Sequence, residues 1–160
     1  MATLTIRRVR ECAAAVLTHA QLQDIHVVHM ETQGTHPIID GPFSVDTTIS
    51  VMGGQREGAI DARSRYKVEA KHEDGAAAWS VQLDLVGVWA IPEAAPDFDG
   101  EALSCFALAI GTMTLHPFAR ETVQTEVSRL GYPPFTMEMI TPPTGGNDDD
   151  ELEVELDADG

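Results

Sequence analysis

Lysine appears only at positions 67 and 71, and 10 basic residues face 26 acidic ones, for a formal net charge of −16. Such an excess repels phosphate backbones and anionic lipid surfaces, so neither nucleic acid nor insertion into a membrane is expected. Cysteine is equally scarce. Cys12 and Cys105 stand far apart with no Cys-X-X-Cys spacing, which argues against a disulfide scaffold or redox motif and for two reduced, buried thiols. Long hydrophobic runs are missing near the start, where Arg7, Arg8, Arg10 and Glu11 interrupt the apolar residues before signal-peptide or membrane length. A cytoplasmic location is expected.

Catalytic signatures are lacking too. Ser104 and Cys105 sit in no Gly-X-Ser-X-Gly turn, and Gly53-Gly54, without the lysine and following helix of a phosphate loop, reads as plain loop. Among 6 histidines, His26-Val-Val-His29 comes closest to a ligand spacing. Residues three apart on a strand point to opposite faces, so no metal is expected there. These absences predict no enzyme, no metal and no cofactor.

What is present suits one core, with 43% apolar residues in a chain of 160. Ile6, Val9, Ala13, Val16, Leu17 and Ala20 recur at three- and four-residue steps, predicting a helix within residues 1–21. Residues 22–91 then read as four strands. The second sets Phe43, Val45, Thr47, Ile49 and Val51 on one face. The fourth sets Trp79, Val81, Leu83, Leu85, Trp89 and Ile91 on one face, and Gly87 in that row predicts a bulge or a close backbone approach. Residues 92–113 form a crossover and a short helix broken by Gly111. Residues 114–143 form a long helix, with Pro117 in its first turn and Ala119, Val123, Val127 and Leu130 as its apolar stripe, followed by a loop.

Residues 1–143 are thus expected to form a single domain. After the linker-like Pro142 to Asn147, eight acidic residues from Asp148 to Asp159 meet no basic one. Like charges repel, and Leu152, Val154 and Leu156 are too few to build a core, so residues 144–160 are expected to be a mobile tail.

Tyr132, Pro133, Pro134, Phe135, Met137 and Met139 follow the long helix directly. Flexible methionines, large aromatics and stiff prolines together suit a surface that accepts varied apolar partners. Upstream stand Pro117, Phe118, Ala119, Arg120 and Glu121, then Ser128 and Arg129. With these motifs, with Asp24-Ile25 and with "VGVWAI" at 86–91, the chain over about residues 22–142 resembles the SecB family of export chaperones. It most resembles the SecB-like relatives in actinobacteria that work with toxin–antitoxin pairs.

The resemblance implies an α+β fold: a four-stranded antiparallel sheet with the helices packed on one side. It implies an ATP-independent holdase that binds non-native or extended polypeptides in hydrophobic grooves, for export or to protect an antitoxin. Carried over residue by residue, the groove would be lined by Phe43 and Val45, by Val88, Trp89 and Ile91 at the crossover, and by Tyr132, Phe135, Met137 and Met139. It also implies a homotetramer built as a dimer of dimers, with Ala119, Val123, Val127 and Leu130 of the long helix at the interface. The partner for export would be the SecA motor, which docks on an acidic sheet face. Asp24 carries over to that face, whereas Val28 and Gln82 stand where acids do in other members. An adaptor or small-ligand-binding protein on the same fold is the second reading, which a dry pocket lined by Trp79 and Trp89 would favour.

Overall fold

The computed structural model describes residues 1–35 and 40–156. A short strand β1 (Ala2–Thr5) leads into helix α1 (Ile6–Leu17), and four long strands follow: β2 (Gln21–Gly34), β3 (Phe43–Arg56), β4 (Ala59–His72) and β5 (Ala77–Ala90). A crossover then reaches helix α2 (Gly100–Phe106), a π-helical turn (Ala107–Gly111) and helix α3 (Thr112–Arg129), and strand β6 (Glu151–Val154) comes last. The four long strands form one antiparallel sheet in the order β2-β5-β4-β3, so β2 and β3 are its edges.

Alternation decides which side of the sheet is covered. On β4, Ile60, Ala62, Tyr66, Val68 and Ala70 are buried beneath the helices, and in register with them on β5 lie Trp79, Val81, Leu83, Leu85 and Trp89. The other face carries Arg63, Arg65 and Lys67 to solvent. Tight turns between strands are made where Gly58 and Gly75 adopt φ of 74° and 85°, which side chains with a Cβ rarely accept. The fold class is therefore the expected one, with all the long helical segments on one side of a four-stranded antiparallel sheet.

The helical part differs from expectation in one respect. Gly111 does not break the chain into two helices, because the π turn carries α2 into α3 as one rod. Pro117 lies inside α3, not in a first turn. At the widened turn Ala107 O accepts the Thr112 amide, five residues on, and the hydroxyls of Thr112 and Thr114 donate to Ala107 O and Ile110 O there. Gly53 is likewise no loop residue: it lies within β3, where a Cβ would strike the main-chain carbonyl of Leu103. Gly111 faces Ala62 at similar range, with 2.7 Å between a hypothetical Cβ and the alanine methyl. These small residues let the rod lie directly on β3 and β4. By length and composition the rod Gly100–Arg129 could cross a membrane, but much of it is buried against the sheet, as in the core helix of a soluble fold.

Ala119, Val123 and Val127 are each 0% exposed within a single chain, packed against Tyr66, Val68, Val81 and Leu83. Within one chain these three are core residues, their side chains already covered by the sheet. Leu130 is partly buried against the same cluster.

The acidic end is also not a free tail over its described length. β6 pairs antiparallel with β1, and Val154 is buried at 3% exposure against Val9, Cys12 and Ala13. The three aliphatics need not build a core themselves, because α1 and the rod supply the rest of one. Residues 157–160 of the expected tail lie outside the described residues.

Candidate client-binding groove

Among the described residues no strand pairs beyond β3, and Val45, Thr47 and Ile49 on its helix-side face remain partly open. The facing wall is the loop after α3. Gly131, with φ of 84°, turns the chain out of the helix, and Pro133 and Pro134 cannot donate to a ladder. Between the two walls is a hollow of about 510 Å³ lined by Val45, Thr47, Ile49, His116, Phe135, Thr136, Met137, Glu138, Met139 and Ile140.

The loop has no regular structure, yet it is pinned at several points. The Tyr132 hydroxyl donates to Ala78 O at 2.6 Å, and the Phe135 ring packs 5.2 Å from that of Trp79. Met137 is 3% exposed, so its side chain plugs the loop into the core and forms the floor more than the rim. Arg120 Nε donates to Met137 O at 2.8 Å, and His116 Nε2 lies 2.9 Å from Glu138 O. A carbonyl only accepts, so Nε2 holds the imidazole proton, and Nδ1 is left to accept from the Tyr66 hydroxyl at 3.3 Å. Burial pushes the Tyr66 phenol above its ordinary value, which keeps it a donor. Tyr66, His116 and Arg120 thus fix one wall of the groove. Among the candidate site residues read from the sequence none of these three appears, since only a folded chain brings them to residues 137 and 138.

Of the residues carried over to the groove, Val45, Phe135, Met137 and Met139 meet in this hollow. Phe43 stands at its end, edge-on to Tyr132 with centroids 6.0 Å apart, and Tyr132 itself is buried as a pin. The three crossover residues do not join them. Trp89 is 2% exposed in a core cluster with Val16, Ile60 and Phe106, and Val88 pairs with Asp24 and Asp61 on the solvent face. Ile91 lines a separate, charged hollow at the β3–β4 turn with Arg56, Glu57, Glu93 and Asp97. Strand alternation explains the split, since successive residues leave a sheet on opposite sides. Trp79 and Trp89 belong to different core clusters.

The solvent face of the sheet is ionic. Asp84, nearly covered, receives Arg65 Nε and Nη2 at 2.9 Å each, and this pair holds its carboxyl below the usual carboxylate range. Asp24 is exposed and sits 3.2 Å from His26 Nδ1. A bulge at Val28 shifts the register so that His26 lies opposite Val86 and His29 opposite Asp84, which sets both imidazoles on this same face, contrary to simple alternation. Among the described residues no three potential ligands gather into a metal site.

The family profile described as "Preprotein translocase subunit SecB" matches residues 18–141. The chain belongs to the SecB family. Its matched span takes in the sheet, the helical rod and the pinned loop, and leaves out α1 and the β1–β6 ribbon. No curated protein matches the chain in sequence. Among solved structures, a SecB-like chaperone from Mycobacterium tuberculosis, in complex with a ChAD peptide from the HigA1 antitoxin, superposes with a TM-score of 0.74 at 19% identity, covering 83% of this chain and 99% of that one. At that identity the likeness is one of fold. A protein from Streptococcus agalactiae superposes with a TM-score of 0.44 at 7% identity, covering 75% of this chain and 97% of that one.

Proposed function

We propose that this SecB-family chain is an ATP-independent holdase that receives extended, non-native segments in the hollow between β3 and the loop at residues 135–140. The observation that carries this is the facing of Val45, Thr47 and Ile49 with Phe135, Met139 and Ile140 across an open trough whose lining is mixed, apolar side chains alternating with the polar Thr136 and Glu138. A client side chain buried there gains roughly 1.5–3 kcal/mol of transfer free energy, so a few shallow contacts suffice without sequence specificity. Ordering the client offsets much of that gain, which favours fast exchange. No catalytic step, metal or cofactor belongs to this reading.

An antitoxin segment is the client that the SecB-like structural neighbour suggests, and a protein bound for export is the one that the family suggests. Docking of the SecA motor has weaker support, because the acids of this face, Asp24, Glu31, Asp61 and Asp84, are interspersed with His26, His29, Arg63 and Arg65, and Asp84 is already paired with Arg65. Assembly into a dimer of dimers is supported by a different surface from the one first expected. Leu22, Val27 and Met30 share the helix-side face of β2 and are 43%, 44% and 42% exposed, and on α3 Phe118 is 47% exposed. A second copy would cover these residues.

The test is suppression of aggregation of a chemically unfolded client by the purified protein without ATP. Phe135→Ala and Val45→Asp are expected to weaken it while the oligomer persists. Undiminished activity in both variants would remove the groove from the proposal.

A further inference from the structure

β6 is itself an extended polypeptide seated in an apolar trough. Leu152, Val154 and Leu156 alternate with Glu151, Glu153 and Glu155. The strand adds to β1 in antiparallel register, Ala2 opposite Val154 and Thr5 opposite Glu151. Val154 is buried among Val9, Cys12, Ala13 and Cys105, and Leu152 and Leu156 pack on the same cluster. The acidic run ahead of the strand is read by α1. Ile6 N and Arg7 N donate to Asp150 O and Asp148 O at 2.8 and 3.0 Å, and Arg7 pairs with Asp149 at 3.3 Å. Arg10 pairs with Asp148 and donates to the carbonyls of Thr144 and Gly146.

We infer that this trough on α1, β1 and α2 is a second extended-chain site, separate from the β3 groove, which the chain's own C-terminal strand fills in cis. The ligand class is a partner segment in which aliphatic residues alternate with acidic ones behind an acidic run. The edge of β1 takes the main chain, the cluster takes the aliphatics, Arg7 and Arg10 take Asp148 and Asp149 of the acidic run, and the alternating glutamates face solvent. A four-residue, two-stranded ribbon is marginal by itself, and the ion pairs are exposed, so the cis strand is held mainly by Val154 and by its tether. Tethering supplies an effective concentration on the order of millimolar, which a partner segment of the same pattern must exceed. The site does not depend on the holdase reading, because it shares no side chain with the β3 groove.

The test uses full-length protein and a fluorescein-labelled peptide with the sequence of residues 148–156. The full-length L152S/V154S variant, whose own strand is weakened, should bind the peptide about tenfold or more tightly than wild type does, because the cis competitor is gone. A peptide carrying the L152S, V154S and L156S changes should bind neither protein, and R7Q/R10Q added to the variant should weaken binding. Equal affinity for wild type and variant, equal binding of the serine peptide, or no binding to the folded variant each overturns the inference. Should the variant not fold, hydrogen exchange on wild type decides. The β1 and β6 amides should then exchange about a hundredfold faster than those of β4 and β5, as a separately opening ribbon must, and equal protection overturns the inference.

Discussion

Arg120 Nε donates to the main-chain carbonyl of Met137 at 2.8 Å, so α3 holds the loop that forms one wall of the β3 groove. The same guanidinium reaches the Met139 sulfur at the groove's rim. In an Arg120→Ala variant, Met137 O loses its donor and the wall can move. A hydrogen bond to a charged group contributes about 1.5–3 kcal/mol, and part of that loss should appear as roughly tenfold weaker client binding. Peptide anisotropy and thermal melting measured on the same samples separate the two effects. A fall in melting temperature with unchanged client affinity would show that Arg120 does not position the groove.

Residues on opposite faces of α3 should respond differently to substitution. Val127 is 0% exposed, and Val127→Ala removes two methyl groups and leaves a cavity, costing on the order of 1–3 kcal/mol of subunit stability. Phe118 is largely exposed, and Phe118→Ala should barely change the unfolding free energy. If Phe118 lies at a seam between copies, the alanine variant should instead sediment as a smaller species. Urea unfolding together with sedimentation velocity reads both effects.

Gly53 lies where the rod touches β3, and a Cβ there would land on the Leu103 carbonyl, which is main chain and cannot swing aside. Gly53→Ala is therefore expected to destabilise the fold by about 1–3 kcal/mol through overpacking. Gly54, one residue along, has nothing within 4 Å of the same position, so Gly54→Ala should be tolerated. Comparing the two unfolding midpoints checks the pair.

Local period made the strands legible. Phe43, Val45, Thr47, Ile49 and Val51 alternate with polar residues, and all five do face the helices. The apolar stripe of α3 was equally readable, but periodicity reports only that a face is covered, not by what, so the packing of Ala119, Val123 and Val127 on their own chain's sheet could not be read from it. His29 escaped the alternation rule because a one-residue bulge at Val28 leaves no mark in composition. The seat of β6 was invisible for another reason. Its partners Leu4, Arg7 and Arg10 lie at the far end of the chain, and an acidic run looks like a solvated tail until its receiver is known. The hollow beside β3 was legible where it depended on residue type, in Phe135, Met137 and Met139. It was not legible where it depended on tertiary pins such as Tyr66, His116 and Arg120.

Acid should act on the sheet through Asp84. Its lowered pKa comes first from the Arg65 hydrogen bonds and is opposed by burial. A carboxyl lowered in the folded state stabilises that state fully above the unfolded value, near pH 4, and loses this contribution as pH falls through the folded pKa. Asp84→Asn should therefore destabilise the protein at pH 7, because Arg65 loses its partner, and the gap to wild type should close below about pH 4 as wild-type Asp84 takes up its proton. Urea unfolding of both proteins between pH 7 and pH 3 measures the gap. A difference that stays constant across that range would mean the pair contributes through packing alone and not through charge.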